Sequence, residues 1–324
     1  MEKSREQLKK EREKQILSIV YDVDKCVFDE KDSEKPDFKF RLDNGDKFGV
    51  EITEFYSSET EAKLMKDKDY KNDLLYNDGR IHKKDEDIIE KGTLFFMSYD
   101  ESGFYEVPGL LRHLPSETDY LNKLAKEIGE KNKKYANYSE SLKYINLIVN
   151  EVDSIFMNTT KENVFRTYFN DNVIKAVSES PFREIFLLAK VDNEVVRIPM
   201  KLNIFNMRIF LFNKVIESVD GSLLNNKTDE IKLLTKYFYS SGVFDISIKY
   251  RKKKLEIVYS NYKIIFDKRR ALILDYHKFA IPEFKIKYTT NHTMPKKFTQ
   301  KEKEILNNHK LYYGFIFDSK HWRY

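Results

Sequence analysis

The feature that most constrains this fold is a run of alternating apolar residues on either side of Asn44-Gly45. Phe38, Phe40 and Leu42 alternate with Asp37, Lys39 and Arg41 before it. Phe48, Val50 and Ile52 alternate with Gly49, Glu51 and Thr53 after it. Successive strand side chains point to opposite faces, so a period of two marks a half-buried strand. Asn-Gly favours the positive-φ pair of a two-residue turn. A hairpin is therefore expected, with its apolar residues on one face and Asp37, Glu51 and Thr53 on the other.

The flanking sequence supplies the rest of a domain. Residues 3–25 read as a helix, with Leu8, Ile16, Ile19, Val20 and Val23 as a partial apolar stripe. Residues 57–90 are charged and weakly periodic, and are expected to form a solvated helical insertion. Residues 93–99 suit a strand. Leu121, Leu124, Ile128 and Tyr135 recur at helical spacing over 118–136, behind a Ser116/Thr118 cap. Buried strands are expected at 144–149 and 184–189, joined by a helix around 161–178. Strand, strand, helix, strand, helix, strand describes an α/β sandwich with a mixed sheet. The second half differs: residues 195–219 and 243–287 hold β-branched and aromatic runs such as 208–212, 243–248 and 271–274. A helix at about 228–240 interrupts them, and 218–228 reads as a long loop or boundary.

Composition narrows the function. Charged residues make up 34% of the 324, but 58 Lys+Arg nearly balance 53 Asp+Glu. The net charge of +5 permits a nucleic-acid partner only through local basic patches. The single cysteine, Cys26, excludes an intrachain disulfide scaffold or a multi-cysteine zinc site. The six histidines lack paired ligand spacing, and no Gly-rich phosphate loop is present. The first residues, Met1 to Glu6, lack a signal peptide's apolar core, and no run of about 18 apolar residues occurs. A cytoplasmic protein is expected.

Two carboxylates on adjacent strands, facing one way, can share a hard divalent cation such as Mg²⁺. A nearby lysine can orient water and stabilise negative charge, which suits phosphodiester hydrolysis. The same pattern also describes two solvated carboxylates on the outer face of an edge hairpin. Pro36-Asp37, the hairpin, and Glu51-Ile52-Thr53 together resemble the core of the PD-(D/E)XK nuclease superfamily, which includes restriction and phage-defence nucleases. In that pattern a lysine follows the second acid by two residues; here Thr53 stands there, as in a subgroup whose positive charge comes from elsewhere.

The resemblance implies a restriction-endonuclease-like mixed sheet flanked by helices over residues 1–190, with the charged insertion at about 57–117. A β-rich domain over 191–324 would bind substrate or a partner. Asp37 and Glu51 would hold Mg²⁺ or Mn²⁺, with Glu13 on the first helix as a third ligand and Glu11 and Glu6 as alternatives. For the missing lysine, Lys131 is preferred because it shares a helical edge with Leu124 and Ile128. Lys134 is second; with Tyr138 it has the spacing of a Gln-xxx-Tyr pair found in some members. Both lysines also suit a solvated helix end. Basic residues Lys252, Lys253, Lys254, Arg269 and Arg270 lie among aromatics and could track a phosphate backbone, or form charged turns. DNA is the expected substrate, with RNA left open, together with a protein partner in a defence system and a homo-oligomer.

Overall fold

A computed structural model describes residues 4–21, 23, 27–28, 35–41, 45, 47–77, 79–81, 83, 86, 88–97, 103–138, 141–156, 167–191, 194–205, 207–208, 231, 234–235, 246–251, 254–259, 262–267 and 270–275. Its main body is mixed α/β. A six-stranded sheet runs in the order β1 (Val27–Phe28), β2 (Phe38–Arg41), β3 (Lys47–Phe55), β6 (Tyr144–Glu151), β7 (Ile185–Val191) and β8 (Glu194–Pro199). The central strands β3, β6 and β7 are parallel; the outer pairs are antiparallel.

Helices cover both faces. On one lies α1 (Arg5–Val20), begun by a capping box in which Ser4 and Gln7 exchange hydrogen bonds. Its Ile16, Leu17 and Val20, with Tyr21 just beyond, pack on Phe40, Phe48, Val50, Ile52, Ile148 and Phe186. The helix is shorter than the expected 3–25, because Tyr21 is already extended and turns its ring into this core. On the other face lie α4 (Glu117–Lys134), capped by Ser116, and α5 (Asp171–Ser178), capped by Asn170. Leu121, Leu124, Ile128, Val173 and Val177 meet Phe55, Leu147, Val149, Ile185 and Leu187 there. Coverage on both sides explains why β6 is apolar on both faces over Ile145–Val149 apart from buried Asn146.

The hairpin corrects one expectation. A two-residue turn at Asn44-Gly45 would pair Phe40 with Gly49, putting the apolar residues of the two strands on opposite faces. Instead Phe40 pairs with Phe48 and Phe38 with Val50, so residues 42–46 form the connection. Burial of the aromatic face outweighs the turn preference, since a one-residue slip would expose a whole strand face. The Phe40 and Phe48 rings stack at 4.9 Å.

Other elements also differ from the sequence pattern. Between β3 and α4 the chain forms two short helices, α2 (Glu59–Lys66) and α3 (Lys68–Tyr76). They are followed by a separate two-stranded ribbon, β4 (Ile89–Met97) with β5 (Phe104–Arg112). The strand read at 93–99 starts earlier and has a partner that was not foreseen. The main sheet continues past residue 190 into β8, and residues 200–205 are helical. Arg208 is helical rather than the start of a strand, while 209–212 and the loop 218–228 lie outside the described residues. So do 161–166 of the helix read at 161–178 and most of the helix read at 228–240. Four further strands, β9 (Ile246–Arg251), β10 (Lys254–Tyr259), β11 (Tyr262–Asp267) and β12 (Arg270–Asp275), form an antiparallel meander. No described helix is long and apolar enough to cross a membrane.

Candidate active site

Backbone pairing between β2 and β3 stops at Phe38 and Val50, so Ile52 N–H lies beyond the last β2 residue. A buried N–H needs an acceptor. Asp37 supplies it: Oδ2 accepts from Ile52 N–H at 2.7 Å. Pro36 just before it is buried against Gly49, where any Cβ would collide with the proline ring. This close approach, which only glycine allows, holds the Asp37 backbone down on β3.

Alternation along β3 then sorts the side chains. Phe48, Val50 and Ile52 face α1; Glu51, Thr53 and Phe55 face α4. Glu51 is 9% exposed. Its Oε1 accepts from Lys131 Nζ at 2.7 Å, from a lysine side chain that is itself mostly buried. Lys131 reaches it because Leu124 and Ile128 fix that edge of α4 against the sheet, and the next turn overhangs Glu51. The Tyr138 hydroxyl also hydrogen-bonds Glu51, and burial and that carboxylate push its pKa up.

Asp37 carries the clearest electrostatic mark. Burial first, then the charge of Glu51 and that of Glu13, push its pKa up to about 7; the Ile52 N–H and Lys131 act the other way. Two carboxylates thus sit in a poorly solvated place with one lysine, which bonds Glu51 and acts on Asp37 through its charge.

The remaining sequence candidates divide clearly. Glu13 is close enough for its charge to act on Asp37, yet it pairs with Lys9 at 3.4 Å. Glu6 and Glu11 are exposed, and Glu6 pairs with Lys10. Thr53 shares the Glu51 face by alternation and pairs with Val149 of β6. Lys134 is exposed at the end of α4 and does not join the acids. Glu54 faces the other way, held by Arg12 at 2.7 Å, Lys66 at 3.2 Å and the Tyr56 hydroxyl at 2.8 Å. Of the distal basic residues, Lys254 is exposed at the start of β10 and Arg270 opens β12. Lys252, Lys253 and Arg269 lie outside the described residues. Tyr138 is the contributor that sequence reasoning undervalued. Its spacing from Lys134 was visible, but the pair splits, with the tyrosine turning in and the lysine out.

Among the described residues, no three His, Cys, Asp or Glu side chains gather into a metal cage. The donor chemistry present is two hard carboxylates. That set suits Mg²⁺ or Mn²⁺, ions that keep several waters, rather than zinc with its full set of nitrogen or sulfur ligands. Comparison with known proteins adds no relative: no family model, no curated sequence and no solved structure matches the chain.

Proposed function

We propose that this chain is a metal-dependent nuclease hydrolysing DNA phosphodiester bonds, built on a restriction-endonuclease-like sheet of the PD-(D/E)XK type. The observation that carries the reading is the Lys131 ammonium 2.7 Å from Glu51, with Asp37 beside them. An ammonium from α4 there answers the threonine at position 53. The antiparallel β2–β3 hairpin leading into parallel β6 and β7, with helices on both faces, supports the same reading.

Asp37 and Glu51 would hold Mg²⁺ or Mn²⁺, with Glu13 assisting. The bound ion would supply an acidified water and neutralise charge on the phosphate. Lys131 moves between Glu51 and the attacking water or the phosphate oxygen. Tyr138 keeps Glu51 turned toward the site. The basic residues around the β9–β12 turns, Lys254 among them, would track the nucleic-acid backbone. A cytoplasmic setting and a role in defence against foreign DNA rest on the family resemblance alone.

The test is cleavage of linear and plasmid DNA, with an RNA panel alongside, in Mg²⁺ and in chelator. Wild type cuts only with metal. Asp37→Asn, Glu51→Gln and Lys131→Ala each lose about 100-fold or more in rate, as expected for groups acting on the transition state. Metal binding is read separately: Mg²⁺ raises the melting temperature of wild type and not of Asp37→Asn. Undiminished cleavage by Asp37→Asn overturns the proposal. A second reading, a nuclease-fold module that binds nucleic acid or a protein without cutting, is favoured by Thr53 in the lysine's place. Equal DNA binding with and without Mg²⁺, and no cleavage of DNA or RNA, selects it.

A further inference from the structure

The β4–β5 ribbon is anchored at its base and bare toward its tip. At the base, Arg112 Nη1 pairs with buried Glu61 on α2 at 2.9 Å, and Lys91 Nζ reaches the Asn77 carbonyl at 3.4 Å. Toward the tip, Phe95 is 64% exposed, Met97 61% and Phe104 73%. Alternation and register put Phe95, Met97 and Phe104 on one face, and Leu94, Phe96 and Tyr105 on the other. Both faces are therefore mainly apolar toward the tip, where Glu106, opposite Phe95, is the one charge on β4 and β5 between Leu94 and Val107.

Its two edges are not equivalent. His113 N–H donates to the Ile88 carbonyl at 2.7 Å, which fixes the phase of the ladder. Residues 90, 92, 94 and 96 then bond to β5, while the N–H and C=O of Lys91, Thr93, Phe95 and Met97 point outward. On β5 the outward set includes Pro108, which has no N–H to give and interrupts that edge. The β4 edge has no such block. Over Gly92–Met97 it carries neither charge nor proline, and no other described strand pairs with it. An open, flat, apolar edge of this kind templates strand addition unless something covers it.

We infer that the ribbon is a dimerisation arm whose β4 edge pairs antiparallel with the same edge of a second copy of this chain. Pairing centred on Phe95 sets Thr93 opposite Met97 and Leu94 opposite Phe96, with no charge facing a charge. On the pairing strand, Leu94, Phe95, Phe96 and Met97 expose on the order of 450 Å², so two copies pool about 900 Å², the size of a weak, concentration-dependent interface. A phosphate-bearing surface fits poorly, because the sequence joining the two strands carries Asp100 and Glu101.

The test is sedimentation velocity on the full chain from about 1 to about 100 µM, the range in which an interface of minimal size associates. Wild type shifts from monomer to dimer across the series. Thr93→Pro removes an outward N–H while leaving the ribbon's own bonds, and Phe104→Glu puts a charge into the apolar face. Each weakens the dimer at least about tenfold. Leu8→Glu, on exposed α1, leaves it unchanged. Unaltered urea midpoints show that the variants fold. A wild type monomeric at every concentration overturns the inference, as does a dimer indifferent to Thr93→Pro. So does a monomer that binds vesicles or DNA through Phe104. No readout depends on catalysis, so failure of the nuclease proposal leaves this one standing.

Discussion

Glu51 and Glu151 lie on the same face of two adjacent strands, yet they are buried in opposite ways. Glu151 accepts from the Tyr120 hydroxyl at 2.6 Å, from the Tyr168 hydroxyl at 2.9 Å and from Lys190 N–H at 3.3 Å. Burial raises its pKa, and these neutral donors reduce the rise without cancelling it. Glu51 has a lysine and a tyrosine, but it also has a second carboxylate, Asp37, beside it. One arrangement is complete and closes a core. The other places two acids beside one lysine, and the repulsion is relieved when Asp37 takes up a proton below about 7. Buried carboxylates are therefore told apart by what surrounds them, not by how deep they lie.

This contrast can be broken from either side. The largest expected effect is at the completed site. Glu151→Ala takes the carboxylate acceptor from the Tyr120 and Tyr168 hydroxyls, which keep only the Asp153 carbonyl and Ser154 Oγ, and a hydrogen bond to a charged group contributes about 1.5–3 kcal/mol. The loss is expected near 3 kcal/mol, read as a lower urea midpoint.

Next comes Lys131→Met, which strips the acids of their shared cation. It is expected to cost about 2 kcal/mol at pH 8, below the fully buried case because Lys131 and Glu51 keep some solvent contact. Adding Asp37→Asn restores at least half of that, and a double-mutant cycle measures the coupling.

Asp37→Asn by itself goes the other way and sharpens the contrast. Below 3.8 the unfolded and folded forms both hold the Asp37 proton. Between 3.8 and about 7 only the folded form does, so wild-type stability falls as pH rises through that window. Asn cannot ionise and still offers an oxygen to Ile52 N–H. The variant is expected to be about 1–2 kcal/mol more stable than wild type at pH 8, with that gain gone by pH 4, in paired urea titrations. The smallest effect is at Lys134. Lys134→Ala, on the solvated end of α4, changes stability by no more than about 0.5 kcal/mol and leaves cleavage intact.

Much of this site was legible because local periodicities fix it. A period of two aimed Glu51 and Thr53 at one face, and the helical spacing of Leu124, Ile128 and Lys131 aimed the lysine at that same face. The β2–β3 register was not legible, because Asn44-Gly45 signals a turn that would misalign the aromatic faces. Stacking of Phe40 on Phe48 decides it, and that is a tertiary effect. Tyr138 follows a short 3₁₀ turn at Tyr135–Asn137, where helical periodicity no longer predicts direction. Strand β5 was not foreseen: Pro108 and Gly109 both disfavour a strand, yet Pro108 falls on the outward edge, where no N–H is needed, and Gly109 pairs with Gly92. The Tyr120–Glu151–Tyr168 cluster joins three separate elements, and no sequence spacing announces it.

Gly49 has no chemistry of its own, yet Pro36 rests on it and Asp37 follows Pro36. A methyl group at position 49 would lift the proline and carry the carboxylate away from Ile52 N–H. In a random library screened for lost activity, position 49 should therefore score with the acids themselves. In an effort to re-engineer the protein, it is a position on β3 to leave untouched together with Glu51. Among related sequences, glycine at this position would mark the chains in which Pro36 can hold Asp37 against Ile52 N–H.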